Sequence, residues 1–448
     1  MASRSPFTRT GSGLAGSGAR VGPALALLVV GLGLALSACG TLSAETVNDR
    51  VNPEVPLWFH RPVGVMSIEF DRTITAESRK VGEAWERGKP EIDAVHRRVF
   101  LGSADHGLYA LRAGDGSTIW RFETGSPVQS EPLYDSEMDT VYFGSHDGGL
   151  YCVKAANGAL LWRFDAGAEV GKKPARDGES LFFANAADML FSVDRRSGKP
   201  RWQAHRQPAM GMEVAGYAGP TFDRGTVYMA YSDGHVMAYD ARDGTERWAP
   251  VDLAADAEQG GDAPRYLDVD TTPVVDGDHP RVVYVASYAG GVVALDAQTG
   301  TRLWSNDKAV GVTDLLMYSE PAHRARGEKD PDAPLVPERR ILIASSSVSG
   351  LWGLDPKAQG RMLWRDKVPE GGITAPTVVA GAILVGTTRY GAFLLSPLNG
   401  KVIDGFDMGG GLAHTPAAFG TRAFLFSNGG RFLGLHIAPP IEPSKSVQ

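Results

Sequence analysis

The sequence holds only two cysteines, Cys39 and Cys152, too few for a disulfide framework and without the paired spacing of a zinc site. It also has no run of Lys or Arg interleaved with aromatics, and its formal net charge is -7. No basic stripe is available to hold a nucleic-acid backbone. A G-x-S-x-G elbow, a phosphate-binding glycine loop, a metal-binding histidine pair and a Ser-His-Asp spacing are all missing, which leaves hydrolysis and phosphoryl transfer without sequence support. The longest apolar run, Val21 to Leu36, contains three glycines and falls short of the roughly 20 residues that span a bilayer.

What is abundant is turn-forming residues. Fifty-five glycines and 28 prolines punctuate segments rich in β-branched and aromatic side chains, a mixture that favours many short strands over helices. Seven segments align with one another: 107–122, 149–164, 189–204, 235–250, 291–306, 350–366 and 391–406. In each, a strand of alternating polarity enters a turn closed by glycine. In the first six a tryptophan follows four residues later, at Trp120, Trp162, Trp202, Trp248, Trp304 and Trp364; in the seventh Asp404 takes its place. These tryptophans recur every 40 to 60 residues, the period of a four-stranded propeller blade.

Two further strand-like runs precede each hairpin, in the second blade Val128 to Tyr134 and Thr140 to Ser145. The fold class expected is therefore all-β, an eight-bladed β-propeller of four-stranded antiparallel blades over residues 56–437. The eighth blade has only three strands in the C-terminal sequence, Ala413 to Phe419, Ala423 to Ser427 and Arg431 to Ile437. An N-terminal strand is expected to close it, and Pro56-Leu57-Trp58-Phe59 supplies a tryptophan for the purpose. The repeated rings read as wedges packed between blades, the turn glycines as positions of positive φ, and Cys152 as a small, inert hydrophobe within a strand.

Ahead of the repeats lies a leader. Arg4, Arg9 and Arg20, with no acidic residue, precede the apolar stretch, as in a secretory signal. Leu36-Ser37-Ala38-Cys39-Gly40 resembles the bacterial lipobox, which implies cleavage of residues 1–38 and lipidation of Cys39. Residues 39–55 then form a lipidated tether, and 438–448 a C-terminal tail. Gly40, rather than Asp, after the cysteine implies the outer membrane, periplasmic face.

The A-x-D-G-x-x-x-W core resembles the pyrroloquinoline quinone (PQQ)-like repeat shared by quinoprotein dehydrogenases and BamB-type lipoproteins of the outer-membrane β-barrel assembly machinery. The resemblance runs from about Pro56 to Ile437. The dehydrogenases place a vicinal cysteine pair beside the cofactor and carboxylates on calcium, features not found in this sequence. Residues Leu267 to Val275, Leu-Asp-Val-Asp-Thr-Thr-Pro-Val-Val, resemble a segment through which BamB-type proteins contact the POTRA domains of BamA. The resemblance implies a partner-binding role for Asp268 and Asp270, which share one side of an extended chain; the alternative is that they bond their own loop backbone. Met212 and Val214 resemble a second, apolar contact pair, with Ala215 where the family has arginine, or else they form a buried strand face. The resemblance thus implies a non-enzymatic scaffold with no cofactor or metal, binding BamA-like POTRA domains and nascent outer-membrane proteins, with the membrane reached through its lipid. A binding module for another envelope protein or glycan, and a PQQ-dependent dehydrogenase, remain as alternatives. Two extra segments, 71–89 with helical character around Ala76 to Arg87 and the charged loop 323–340, carry no chemistry legible in sequence.

Overall fold

The computed structural model describes residues 64–74, 86–208, 217–253, 269–277, 280–324, 335–366, 372–389, 391–408 and 411–438. Every regular element among them is a strand, gathered into eight antiparallel sheets of four strands and one small ribbon. Seven blades are continuous in sequence. The second, for example, runs Leu133–Asp135, Thr140–Gly144, Gly149–Lys154 and Leu160–Asp165. First strands of neighbouring blades touch around a central channel, and inner second and third strands such as Arg98–Gly102 and Gly107–Arg112 are almost wholly buried. The propeller expected from the repeat is the fold observed.

The repeat tryptophan and the repeat glycine turn out to be one contact. A Cβ placed on Gly158 would lie 2.7 Å from the Trp120 ring, and Gly198 meets Trp162, Gly244 meets Trp202, Gly300 meets Trp248, Gly360 meets Trp304 and Gly400 meets Trp364 in the same way. Each tryptophan thus lies flat against the turn of the following blade, at a glycine whose φ of 66 to 76° already disfavours any side chain. Four of the rings also donate their indole N–H to a carbonyl of that turn: Trp120 to Ala155, Trp162 to Arg195, Trp202 to Ala241 and Trp364 to Pro397, at 2.9 to 3.2 Å.

The same rings dictate what sits opposite them. Across the ladder Trp120 faces Ala110, Trp162 faces Cys152, Trp202 faces Ser192, Trp304 faces Ala294 and Trp364 faces Gly353. Only small residues fit there, which accounts for Cys152: a free, fully buried thiol whose pKa burial pushes up to about 12.

The eighth blade is closed from the N-terminus, but by Met66–Thr73 and not by Pro56 to Phe59. Met66 pairs with Ile437 and Thr73 with Arg431, filling the fourth position of the sheet formed with Ala417–Phe419, Arg422–Phe426 and Arg431–Ile437. Residues 56–59 lie outside the described residues. Phe70 does the work assigned to Trp58. Its ring packs at a tilt on Phe432, with centroids 5.5 Å apart, lies across from Gly434 and presses on Gly116 of the first blade, where a Cβ would come within 2.6 Å. Arg431–Asp71 and Arg422–Glu69 ion pairs tie the strand down. Asp404 now has a reason as well. The eighth blade has no hairpin turn for a seventh tryptophan to cover; in its place the buried Asp404 carboxylate accepts the Met66 N–H at 2.8 Å, at the entry of the closing strand.

Three smaller expectations shift. Asp71 to Thr73 belong to the closing strand, and the helix expected around 76–87 falls almost entirely outside the described residues. In the fourth blade the outer strand begins at Val251, after Trp248, since Pro250 has no N–H to give the ladder. The 323–340 loop is shorter than expected: His323–Arg324 and Leu335–Val336 form a ribbon, and Arg339 already starts a strand reaching Ser346.

The wedge contacts predict a specific pattern of damage. Phe70→Ala should lower the unfolding free energy by about 3 kcal/mol, a large-to-small loss, and Cys152→Leu by about 1–3 kcal/mol through overpacking against Trp162. Cys152→Ala should be nearly neutral. Urea unfolding of the three variants checks this, and a neutral Cys152→Leu contradicts the packing described.

Candidate functional site

Two features are set by the chain's return from the rim of one blade to the axis of the next. The first is the channel itself. In seven of eight blades the innermost strand is preceded by proline, and the residue before that proline is Lys89, Glu131, Lys173, Gly219, Thr272, Ala375 or Thr415; the sixth blade has Thr313-Asp314 instead. Proline holds the preceding residue extended, so these side chains are delivered around one opening. Lys89, Glu131, Lys173, Thr272, Asp314 and Thr415 line a cavity of about 750 Å³. The opening is charged over the first three blades and neutral over the fourth, fifth, seventh and eighth. This x-Pro spacing was available in the sequence, yet it is invisible until the blades are aligned on their inner rather than outer strands.

Its lysines and glutamates are paired. Lys89 donates to Glu131 at 2.8 Å, and Lys173 reaches Glu91 of the first blade at 2.7 Å. Burial works against the charge on Glu131, but Lys89 and Lys172 hold its carboxyl well below the usual range. Burial pushes Asp314 up. Burial, with Lys172 and Lys89 nearby, pushes His414 down to about 4, so its imidazole is neutral at physiological pH.

The second feature is the segment entering the fifth blade. Val269 and Thr271 are fully buried. Thr271 Oγ1 accepts from the Ala286 N–H at 2.8 Å and donates to the Ala286 carbonyl at 3.0 Å. Thr272 Oγ1 accepts from Gly219 N at 3.0 Å, while Thr221 Oγ1 donates to the Pro273 carbonyl at 2.6 Å. The segment is thereby stapled to both the fourth and fifth blades. Asp270, between the two buried residues, is half-buried, with its Oδ1 shielded from solvent. Asp268, Met212, Val214 and Cys39 lie outside the described residues.

On the opposite face, Asp93, His96 and Asp139 bring three metal-type ligand atoms within 4.8 Å of one another. The space between them belongs to Arg98, which donates to Asp93 at 2.7 Å, to Asp139, and approaches His96 Nδ1 at 3.2 Å. A guanidinium therefore supplies the cation here. Similar arginine pairs cross from blade to blade at Arg195–Asp135 (2.9 Å), Arg281–Asp223 (2.5 Å) and Arg340–Asp276 (2.5 Å). They fasten the ring rather than mark chemistry.

A PQQ and calcium site of the dehydrogenase kind does not fit these residues. Of the channel carboxylates, Glu91 and Glu131 are committed to lysines and burial disfavours the charge on Asp314, while Cys152 is buried against Trp162 with no neighbouring cysteine.

Residues 104–322 match the family model described as outer membrane protein assembly factor BamB. The chain is 23% identical over 235 residues to outer membrane protein assembly factor BamB of Legionella pneumophila (strain Paris), covering 52% of this chain and 54% of that protein. It is 24% identical over 337 residues to tetrathionate hydrolase of Acidithiobacillus ferrooxidans, covering 71% of this chain and 53% of that one. The chain thus spans about half the length of the curated relatives it matches. The crystal structure of BamB from Moraxella catarrhalis superposes with a TM-score of 0.64 at 19% identity, over 83% of this chain and 99% of that one, a likeness of fold.

The channel mouth predicts a pH response. Because the folded state resists protonating His414 until about pH 4 while the unfolded chain takes the proton near pH 6.5, stability falls as pH drops between those values, by up to about 3 kcal/mol. Glu131 adds a further loss below its ordinary pKa. His414→Gln should flatten the upper part of this profile, measured by urea midpoint against pH; an unchanged slope contradicts the environment described.

Proposed function

Because the chain carries the PQQ-like repeat of BamB-type propellers, we propose that it is a non-catalytic, lipid-anchored scaffold of the outer-membrane β-barrel assembly machinery. In this reading Cys39 anchors it to the outer membrane, periplasmic face, and it binds the POTRA domains of a BamA-like protein and assists insertion of outer-membrane proteins. The observation that carries the proposal is the segment 269–273. Val269 and Thr271 are locked into the junction of the fourth and fifth blades, which gives Asp270, between them, a rigid base. In this reading Asp270, with Asp268 two residues before it in sequence, meets a basic or amide-rich edge of a partner through charge-assisted hydrogen bonds. Met212 and Val214, ahead of the fourth blade in sequence, supply an apolar contact in this reading.

The competing reading is enzymatic, and the match to tetrathionate hydrolase over 71% of this chain favours it. The paired channel charges speak for the scaffold: the lysines and glutamates neutralise one another.

The test is affinity recovery of the C-terminally tagged full chain from detergent-solubilised native membranes. A BamA-like protein is expected to co-purify, with recovery reduced about tenfold or more by Asp268→Lys with Asp270→Lys, the scale for losing a hydrogen-bonded interfacial charge. Cys39→Ser should release the protein from membranes. Absence of the BamA-like protein, or recovery unaffected by the double substitution, refutes the assignment; consumption of tetrathionate by the purified protein replaces it with the enzymatic one.

A further inference from the structure

The ion pairs at the channel mouth leave two charges over. Lys89 is taken by Glu131 at 2.8 Å and Lys173 by Glu91 at 2.7 Å. Arg176, in the same wall, leans on Asp135 at 3.8 Å and Glu137 at 3.6 Å, and His414 is neutral. That leaves Asp314, which lines the cavity of about 750 Å³, and Lys172, directly before its lining residue Lys173. Both are half-buried, and neither has an ion-pair partner among the described residues.

The fold holds these two apart. Lys172 leads into the third blade and Asp314 stands in the first strand of the sixth, three blades further round the ring. The Lys172 ammonium is the strongest charge acting on the Asp314 carboxyl, yet no salt bridge joins them. Lys89, Lys172 and Lys173 against Glu91, Glu131 and Asp314 sum to zero, so a ligand of net charge would itself go unmatched here. A ligand with an anion at one end and a cation at the other matches both free groups at once. The lip of the cavity adds an apolar element. Phe419 is 64% exposed, the one exposed aromatic side chain among the described residues, and it lines the same cavity as Leu316 and Phe222. An apolar group on the ligand would cover it.

We propose that the channel mouth binds a short peptide with both termini free, its carboxylate on Lys172, its ammonium on Asp314 and an apolar side chain against Phe419. A peptide is net neutral, and its own backbone separates the two terminal charges, which suits groups set on different blades. The site uses neither Asp268 nor Asp270 and does not rest on the assembly role.

The experiment is isothermal titration calorimetry of the full chain in detergent with the tripeptide Ala-Leu-Ala, beside its N-acetyl form, its C-terminal amide and leucine alone. The free tripeptide is expected to bind, and each block to weaken binding by about tenfold or more, the scale of one charge-assisted hydrogen bond. Asp314→Asn should weaken the free tripeptide to the same degree, and in that variant acetylation should cost nothing more. Lys172→Met should stand in the same relation to the amide. Phe419→Ala should weaken binding severalfold. Far-UV circular dichroism verifies that each variant is folded, and the comparison of free with blocked peptides on the unaltered protein decides the matter where one is not. Failure of the tripeptide to bind, equal binding of either blocked form, or a block whose cost is undiminished in its matching variant overturns the proposal. So does leucine binding as tightly as the tripeptide, which makes the ligand a free amino acid.

Discussion

The contact between a tryptophan and the glycine of the following blade is what the rest of the molecule depends on. A single four-stranded blade cannot bury both of its faces, so it is stable only when covered by neighbours. Laying an indole flat on a turn brings the two backbones as close as a ring's thickness allows, and it demands two things at once of the turn residue: a left-handed backbone and no Cβ. Gly158, Gly198, Gly244, Gly300, Gly360 and Gly400 meet both demands. The demand then propagates across the ladder, where Ala110, Cys152, Ser192, Ala294 and Gly353 are small because a ring lies against them. Three positions per blade follow from one geometry.

That geometry also fixes the interior. Once the outer hairpins are spaced by wedges, the inner strands must converge, and the residues before their prolines meet at a common opening. Lysines and glutamates from the first three blades pair there, sinking charge into a place where it is stable only because it is matched. The same convergence rigidifies the segment entering the fifth blade, whose threonines bond to two blades at once. A segment on such a base has little conformational entropy left to lose.

Much of the fold was legible in the sequence because the repeat exposes itself six times at one spacing. Strands such as Thr140–Gly144 and Arg431–Ile437 fall within a residue of where alternation puts them. The closing strand did not, since the search was for another tryptophan and the ring used is Phe70; a wedge needs area and flatness, which phenylalanine provides. Asp404 looked like a lost tryptophan and is a cap for an incoming chain end. Of the site residues named from sequence, only Asp270 falls among the described residues, half-buried between Val269 and Thr271. The channel mouth went unread because its members share a position, before proline, and not a residue type.

The closure of the eighth blade has a consequence in time. Met66 pairs with Ile437, so the first strand of the propeller is made some hundreds of residues before its partner exists. During synthesis, Phe70 and the Gly116 turn it covers stay without the C-terminal strand that holds them in place, while the middle blades can already stack on one another. The ring becomes a ring only at the last step, through pairing at the longest sequence separation among the described residues, and loop closure of that length is slow. A chain that emerges in this order must be kept from pairing its open edges with other chains until its own end arrives.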